Sequence, residues 1–249
     1  MSNQPGADMF VLAAGLGARL GTLTRDTPKP LIPVNRRPVI EYTLELIKAA
    51  GFQKLFVNLH YQGEKIKQHL GTGERWGLEI RYVEEKELLG TGGAIRNIET
   101  MLEHDMLLTM NSDTILGRDF SLPALLSAHR ASILKPLATL VVRRNPNAKM
   151  YGEVGIDSQG KVVSFLGKKY SSVAVTGTYM YVGVQAISRE LFHLMPVAGS
   201  KFSITQDTYV KVLGEGNSIA TFCYDGYFQD IGSADRLNQA SKDLVEGKR

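Results

Sequence analysis

Hydrophobic and polar positions change period along the first hundred residues, and the changes predict elements. Phe10–Ala13 and Lys54–Leu59 are short apolar runs of the kind that form buried strands. Leu78–Glu84 (LEIRYVE) alternates as a half-buried strand does. Between them, Ile40, Leu44, Ile47 and Ala50 recur at helical spacing. Pro38 stands where a first helical residue would, and Gly51 closes the run. Gln62–Leu70 reads as a second helix, ended by Gly71 and Gly73. This β-α-β-α-β rhythm implies parallel strands joined by crossover helices, hence an open α/β sheet. In such sheets a ligand sits beyond the carboxyl ends of the strands.

The pattern continues with a glycine-bearing turn (EEKELLGTGG) leading into a helix over Ala94–Leu102, a helix start whose free N–H groups are placed to face a ligand. A strand over Asp105–Asp113 follows, then a helix over Leu122–Ala131 capped by Ser121, then a strand over Leu137–Arg144. From Tyr151 the character changes. YGEVGID, the turn Ser158-Gln159-Gly160 and KVVSFLGKK read as an antiparallel hairpin, with a further strand over Val173–Val184. Ser188 opens a short helix ending near Pro196. Ser203–Gln206 (SITQ) reads as a capping box for a helix reaching Leu213. A strand over Ser218–Tyr224 and an amphipathic helix over Ala234–Glu246 complete the chain, and residues 1–8 read as a loose polar lead.

Composition narrows the class. With 249 residues and 43% hydrophobic content the chain can bury one substantial core. A net charge of +4 suits anionic small molecules, but no dense Lys/Arg tract marks a nucleic-acid partner. Cys223 is the only cysteine, which fits a reducing compartment and excludes an intrachain disulfide. The N-terminus lacks a basic stretch followed by an apolar one, and no run approaches the ~18 apolar residues of a membrane span. The expectation is a cytoplasmic protein without a membrane partner. Five scattered histidines form no ligand pair at helical spacing.

The candidate chemistry begins where the first strand ends, in FVLAAGLGARLGTLTRDTPKPLIP, Phe10–Pro33. Gly15, Gly17 and Gly21 allow backbone N–H groups to approach an anion. Arg19 sits among them, and Lys29 is held between Pro28 and Pro30. A dinucleotide fingerprint would need its third glycine one residue earlier and a helix directly after it. A P-loop would need Gly-Lys-Ser/Thr. Neither is present, and the loop reads as a polyphosphate cradle of another kind.

L-A-A-G-x-G-x-R-L followed by T-P-K-P-L-x-P-V resembles the signature of the sugar-1-phosphate nucleotidylyltransferases. The resemblance extends from the loop to about Leu237. It implies a single nucleotidyltransferase domain over 1–249, with a Rossmann-like, mostly parallel mixed sheet and a small antiparallel insertion (glycosyltransferase-A-like). The nucleotide half would cover about 9–135 plus C-terminal elements, and the sugar-phosphate half about 136–232. The implied reaction joins an NTP and a sugar 1-phosphate, with Mg²⁺, to give an NDP-sugar and pyrophosphate. Arg19 and Lys29 carry the catalytic charge in this picture. Leu12, Ala13, Ala14, Gly15, Gly17, Glu85, Gly90, Thr91 and Asn111 would contact the nucleotide. Asp113 and Asp230, the latter in YFQDIG, would hold the metal. Gly152 (in Y-G-x-V), Lys168 and Thr176 would meet the acceptor. A homo-oligomer is compatible with this assignment.

The acceptor end departs from the family pattern. F-x-E-K-P becomes Phe165-Leu166-Gly167-Lys168-Lys169, and N-x-G becomes Val175-Thr176-Gly177. A cytidylyltransferase for another phosphate, such as phosphocholine, therefore stays open; a nucleotide-sugar sensor without turnover is a second alternative, against which the retention of Arg19, Lys29, Asp113 and Asp230 argues. At the base, the carboxylate of Glu85 accepts hydrogen bonds only, and matches the adjacent donors of guanine better than the single N–H of uracil.

Overall fold

The computed structural model describes residues 5–145, 148 and 152–249. Tyr151 of the expected hairpin and the first four residues of the expected loose lead lie outside the described residues. Ala7 and Asp8, expected in that lead, are instead buried, because the first strand starts at Asp8. The chain divides into two compact units. One comprises residues 1–88, 110–122 and 226–249, and the other residues 89–109 and 123–225. The strand Met106–Asn111 carries the chain from the second unit into the first.

In the first unit the strands Asp8–Leu12, Lys54–Leu59 and Glu79–Glu84 pair in parallel, in sequence order. Their connections contain the helices Val39–Ala49 and Gly63–Leu70, as the rhythm predicts. Pro38 lies one residue outside its helix: its ψ of 134° is extended, so it caps the helix without belonging to it. A short antiparallel ribbon pairs Thr114–Leu116 with Phe228–Asp230. One apolar cluster holds Leu20, Ile32, Val34, Val39, Tyr42, Ile115, Ile231 and Ala240, with Leu237 and Leu244 of the C-terminal helix Ala234–Val245 packed against it. Every segment that carries a charged site residue of this corner thus contributes a side chain to the same core.

The second unit mixes strand directions, which makes the protein α/β with a mixed pairing pattern. The long strand Gly177–Ser188 runs antiparallel to Ala138–Arg143 and to Glu153–Ile156, while Ile219–Cys223 is parallel to Ala138–Arg143. Val162–Phe165 returns antiparallel to Glu153–Ile156, forming the expected hairpin. The expected strand from Val173 begins only at Gly177, since 173–176 is an exposed connector. The helix expected from Ala94 begins at Gly90, so the glycines lie inside its first turn. The Ser203 box forms with a changed partner. Ser203 Oγ accepts from Gln206 N as expected, but Asp207 Oδ2, not Gln206, accepts from Ser203 N at 2.6 Å. The helix opens with wide π turns over Ile204–Tyr209, which place Asp207 where a capping Gln would reach.

His129 in this unit is buried and fully bonded. Ser188 Oγ gives its proton to Pro136 O, so it accepts from His129 Nε2 (2.8 Å), and Nδ1 accepts from Thr139 Oγ1 (2.8 Å). Burial, then the Arg130 charge, lower its pKa from 6.5 to about 4. The unfolded chain takes up a proton that the folded protein refuses between these values. Stability from this group is therefore complete above pH 6.5 and lost as pH falls toward 4. Urea unfolding should show a loss of about 2–3 kcal/mol from pH 7 to 4.5 attributable to His129. His129→Gln should flatten that part of the slope whatever its own cost at pH 7.

Candidate active site

The glycine loop is shaped by one glycine in particular. Gly17 takes φ +66° and opens the 3₁₀ turns of Ala18–Thr24; a Cβ there would come within 2.7 Å of Thr24 Cγ2. Its carbonyl accepts from Leu20 N at 2.9 Å, and Leu20 enters the core. Gly15, Leu16, Ala18 and Arg19 are left on the exposed side. Gly15 has open space where a side chain would be, so its contribution is an unobstructed outer face. Leu12 and Ala13 are tied inward: Leu12 O accepts from Ser112 N at 3.1 Å, and Ala13 N donates to Asn58 Oδ1 at 2.7 Å. Ala14 is buried beside them.

Lys29 starts a 3₁₀ turn set by its prolines. Pro28 is extended, Pro30 occupies the second turn position, and Ile32 drops into the core. The ammonium pairs with Asp113 Oδ2, both side chains being largely withdrawn from water (12% and 22% exposed). Asp113 follows Asn111, which ends the Met106–Asn111 strand, and Asp230 ends its ribbon strand directly opposite Thr114. Ile231 N donates to Asp113 O at 3.1 Å, so the two acids predicted about a hundred positions apart are brought to one place. Asp230 accepts from Gly232 N (2.7 Å) and from Arg236 Nη1 at 2.8 Å on both oxygens. A Cβ on Gly232 would stand 2.6 Å from Asp230 Oδ1, 3.2 Å from Arg236 Nη1 and 3.3 Å from Arg19 Nη2. Three cations and two carboxylates thus share one corner of the first unit.

This corner fits a hard divalent ion bound by few protein groups. Each carboxylate is held against a cation, Asp113 against Lys29 and Asp230 against Arg236, so a bound metal would share them with those side chains. Among the described residues no set of three or more His, Cys, Asp or Glu side chains gathers as a metal cage. Two carboxylate ligands with the remaining positions left to phosphate and water suit such an ion.

Glu85 lies in the same unit, 6% exposed, and accepts from Asn58 Nδ2 at 2.6 Å. His60 Nδ1 meets Glu85 O at 2.9 Å.

The other predicted residues lie in the second unit. Gly90 and Thr91 open the helix Gly90–Asn97, and the glycine run there has a packing cause. Cβ atoms at Gly90, Gly92 or Gly93 would collide with Phe202 or Ser200, and Phe202 O accepts from Gly92 N (3.0 Å) and Gly93 N (3.3 Å). The expectation that this turn offers free N–H groups to a ligand is corrected at Gly92 and Gly93. Thr91 Oγ1 accepts from Ile204 N at 3.1 Å. Gly152 takes φ +87° against Leu166. Leu166 (φ +52°) and Gly167 (φ +79°) form a two-residue hairpin turn, with Phe165 opposite Lys168. In this turn the Glu of the family pattern would be strained, as would any side-chain-bearing residue other than Asn or Asp at φ +79°. Lys168 is exposed, with Nζ 5.3 Å from the centre of the Tyr170 ring. Thr176 Oγ1 donates to Ile156 O at 3.2 Å.

Sequence reasoning missed two residues, Asn58 and Arg236. A lone Asn in the apolar run KLFVNL was the signal for the first. For the second it was an Arg in the first turn of a helix, six residues after a candidate ligand.

A family model described as nucleotidyl transferase matches residues 9–247. The mannose-1-phosphate guanylyltransferase of Mycobacterium tuberculosis is 30% identical over 241 residues, covering 96% of this chain; the chain spans 65% of that protein's length. The D-glycero-alpha-D-manno-heptose 1-phosphate guanylyltransferase of Campylobacter jejuni is 29% identical over 227 residues, covering 90% of this chain and 93% of that one. Among solved structures, HddC from Yersinia pseudotuberculosis complexed with GMP-PN superposes with a TM-score of 0.78 at 24% identity, over 96% of this chain and 99% of that one. That likeness bears out the expected glycosyltransferase-A-like fold. By the match over 9–247, the chain belongs to the nucleotidyl transferase family.

Proposed function

We propose that this protein transfers a nucleotidyl group from an NTP to a sugar 1-phosphate, releasing pyrophosphate, with GTP as the preferred donor. The observation that carries the reading is the corner where Lys29–Asp113 and Arg236–Asp230 meet beside Arg19 and the glycine loop. The names of the guanylyltransferase relatives and the carboxylate of Glu85 support guanine.

A sugar 1-phosphate is mostly dianionic near neutral pH, because a phosphomonoester's second pKa is about 6. The nucleophile needs no general base. The difficulty is repulsion between two polyanions and charge building on the α-phosphate and pyrophosphate. The Gly15–Gly17 backbone and Arg19 would hold the β- and γ-phosphates. Lys29 would bridge the α-phosphate and the incoming phosphate. Gly90, Thr91 and Asn111 would border the nucleoside, and Gly152, Lys168 and Thr176 the acceptor. Asp113 and Asp230 would hold Mg²⁺, which when bound supplies neutralising charge on the phosphate oxygens. A cytoplasmic setting is part of the proposal.

The test is pyrophosphate release with ATP, GTP, CTP and UTP against a panel of hexose and heptose 1-phosphates, plus phosphocholine. GTP with a sugar 1-phosphate should exceed other donors by about 10–100-fold in kcat/KM, the discrimination of a good bidentate base contact. Turnover confined to CTP with phosphocholine, or nucleotide-sugar binding without turnover, would overturn it.

A further inference from the structure

Asn58 is an amide in a strand whose other inward positions are apolar, and its register explains its reach. Phe10 and Val11 stand opposite Phe56 and Val57, so Asn58 comes level with the end of the first strand. On the other side it faces Val83, two residues before Glu85. It is 3% exposed, Ala13 2% and Glu85 6%, so water does not substitute for any of the three.

The two ends of the amide have opposite chemistry, and each meets its complement. A backbone N–H can only donate, so Ala13 N fixes Oδ1 toward the loop (2.7 Å). Nδ2 then faces the carboxylate, which can only accept (2.6 Å). The orientation of the amide is therefore set by its neighbours. One side chain joins the root of the phosphate cradle to the group assigned to the base.

We propose that Asn58 is a positioning residue that couples base choice to phosphate placement, by fixing the glycine loop and the Glu85 carboxylate to each other. This rests on the reading of Glu85 as the base-contacting group. A base that displaces Glu85 pulls on Asn58, and through it on Ala13 N at the loop's root. Mismatched bases are then penalised in kcat as well as in KM, because the phosphates are misplaced for the chemical step.

Three variants separate this from a merely structural role. Asn58→Ala should lower kcat/KM for the preferred NTP by about 10–100-fold, the range of a lost hydrogen bond to a charged group. Poorer NTPs should lose less, so discrimination narrows. Asn58→Asp sets a second carboxylate against Glu85, and the two cannot both ionise at that distance. Its activity should recover as pH falls and a shared proton restores the missing donor. The wild-type profile is the baseline, since His60, Glu84 and Lys86 beside the pair are common to both proteins. Combining Asn58→Asp with Glu85→Gln reverses the polarity: the carboxylate introduced at position 58 accepts both from Ala13 N and from the amide introduced at position 85. This double variant should regain kcat and lose the acid shift, with an altered base preference.

Absence of rescue in a folded double variant, or unchanged discrimination in Asn58→Ala, would overturn the coupling. Glu85→Gln alone tests the reading beneath it. If base preference is untouched there while the double variant still rescues kcat, the base assignment is wrong and Asn58 positions the loop only, which also overturns the coupling.

Discussion

Lys29→Ala should lower kcat/KM for nucleotidyl transfer by about 10²–10³, the scale of losing one preorganised charge at a developing anion. The geometry makes this more than the deletion of a surface cation. Lys29 is only 12% exposed, its backbone is fixed between Pro28 and Pro30, and Ile32 anchors the turn in the core. A charge held in this way costs little reorganisation when the phosphates arrive. The ion pair with Asp113 adds a second effect, since the substitution also strips a carboxylate of its counter-charge. The stability cost should be about 1–2 kcal/mol, between the values for exposed and buried pairs, and the protein should stay folded in urea titrations at low denaturant. Lys29→Arg keeps the charge, yet should recover only part of the rate. A planar guanidinium is bulkier than an ammonium and cannot act as a compact point charge. Near-normal turnover in folded Lys29→Ala would remove this residue from the mechanism.

The loop, the clamp and the two aspartates were legible because each is local in sequence: glycines where φ must be positive, prolines around a lysine, an acid at the end of an apolar strand. Their assembly was not legible from spacing. Asp113 and Asp230 meet through a two-stranded ribbon, Thr114 opposite Asp230, whose strands of three residues each carry no periodicity. Glycine was legible as a type but ambiguous as a cause. Gly17 shapes the cradle by its φ. Gly90, Gly92 and Gly93 follow a strand in much the same way, yet are glycines because the 200–204 segment packs onto their backbone. Whether an N–H faces a ligand or Phe202 O depends on a segment over a hundred residues away, and no local pattern records it. The same holds for Asn58. The apolar run marks its strand, but its bonding partners lie 45 and 27 positions distant. At the acceptor end the departure from F-x-E-K-P is visible in the sequence, but the positive-φ turn at Leu166-Gly167 that goes with it is not.

Asp113→Asn and Asp230→Asn should each lower turnover by about 10²–10³, and the double variant should fall little below the worse single one. Residues that serve one bound ion act as a unit, so their deletions are not additive. The single variants should nonetheless differ in one respect that the structure sets. Asp113 is paired with Lys29, and its replacement releases that lysine. Asp230 also accepts from Gly232 N and holds Arg236 on both oxygens, next to Arg19. An amide at position 230 keeps one acceptor for Gly232 N but presents its N–H₂ to a guanidinium, two donors face to face. Asp230→Asn should therefore disturb the placement of Arg236 and Arg19 and raise KM for the NTP as well as the Mg²⁺ requirement. Asp113→Asn should raise the Mg²⁺ requirement with a smaller change in that KM. Adding Arg236→Ala to Asp230→Asn removes the clash of donors and should bring the NTP KM back toward that of Asp113→Asn while leaving turnover low. Titrations of Mg²⁺ at saturating NTP, and of NTP at saturating Mg²⁺, measure the two requirements separately. Direct binding of Mn²⁺ followed by its electron spin resonance signal reads the metal without turnover. Additive losses in the double variant, or Mn²⁺ affinity unchanged in both single variants, would show that the carboxylates serve Lys29 and Arg236 alone and hold no ion.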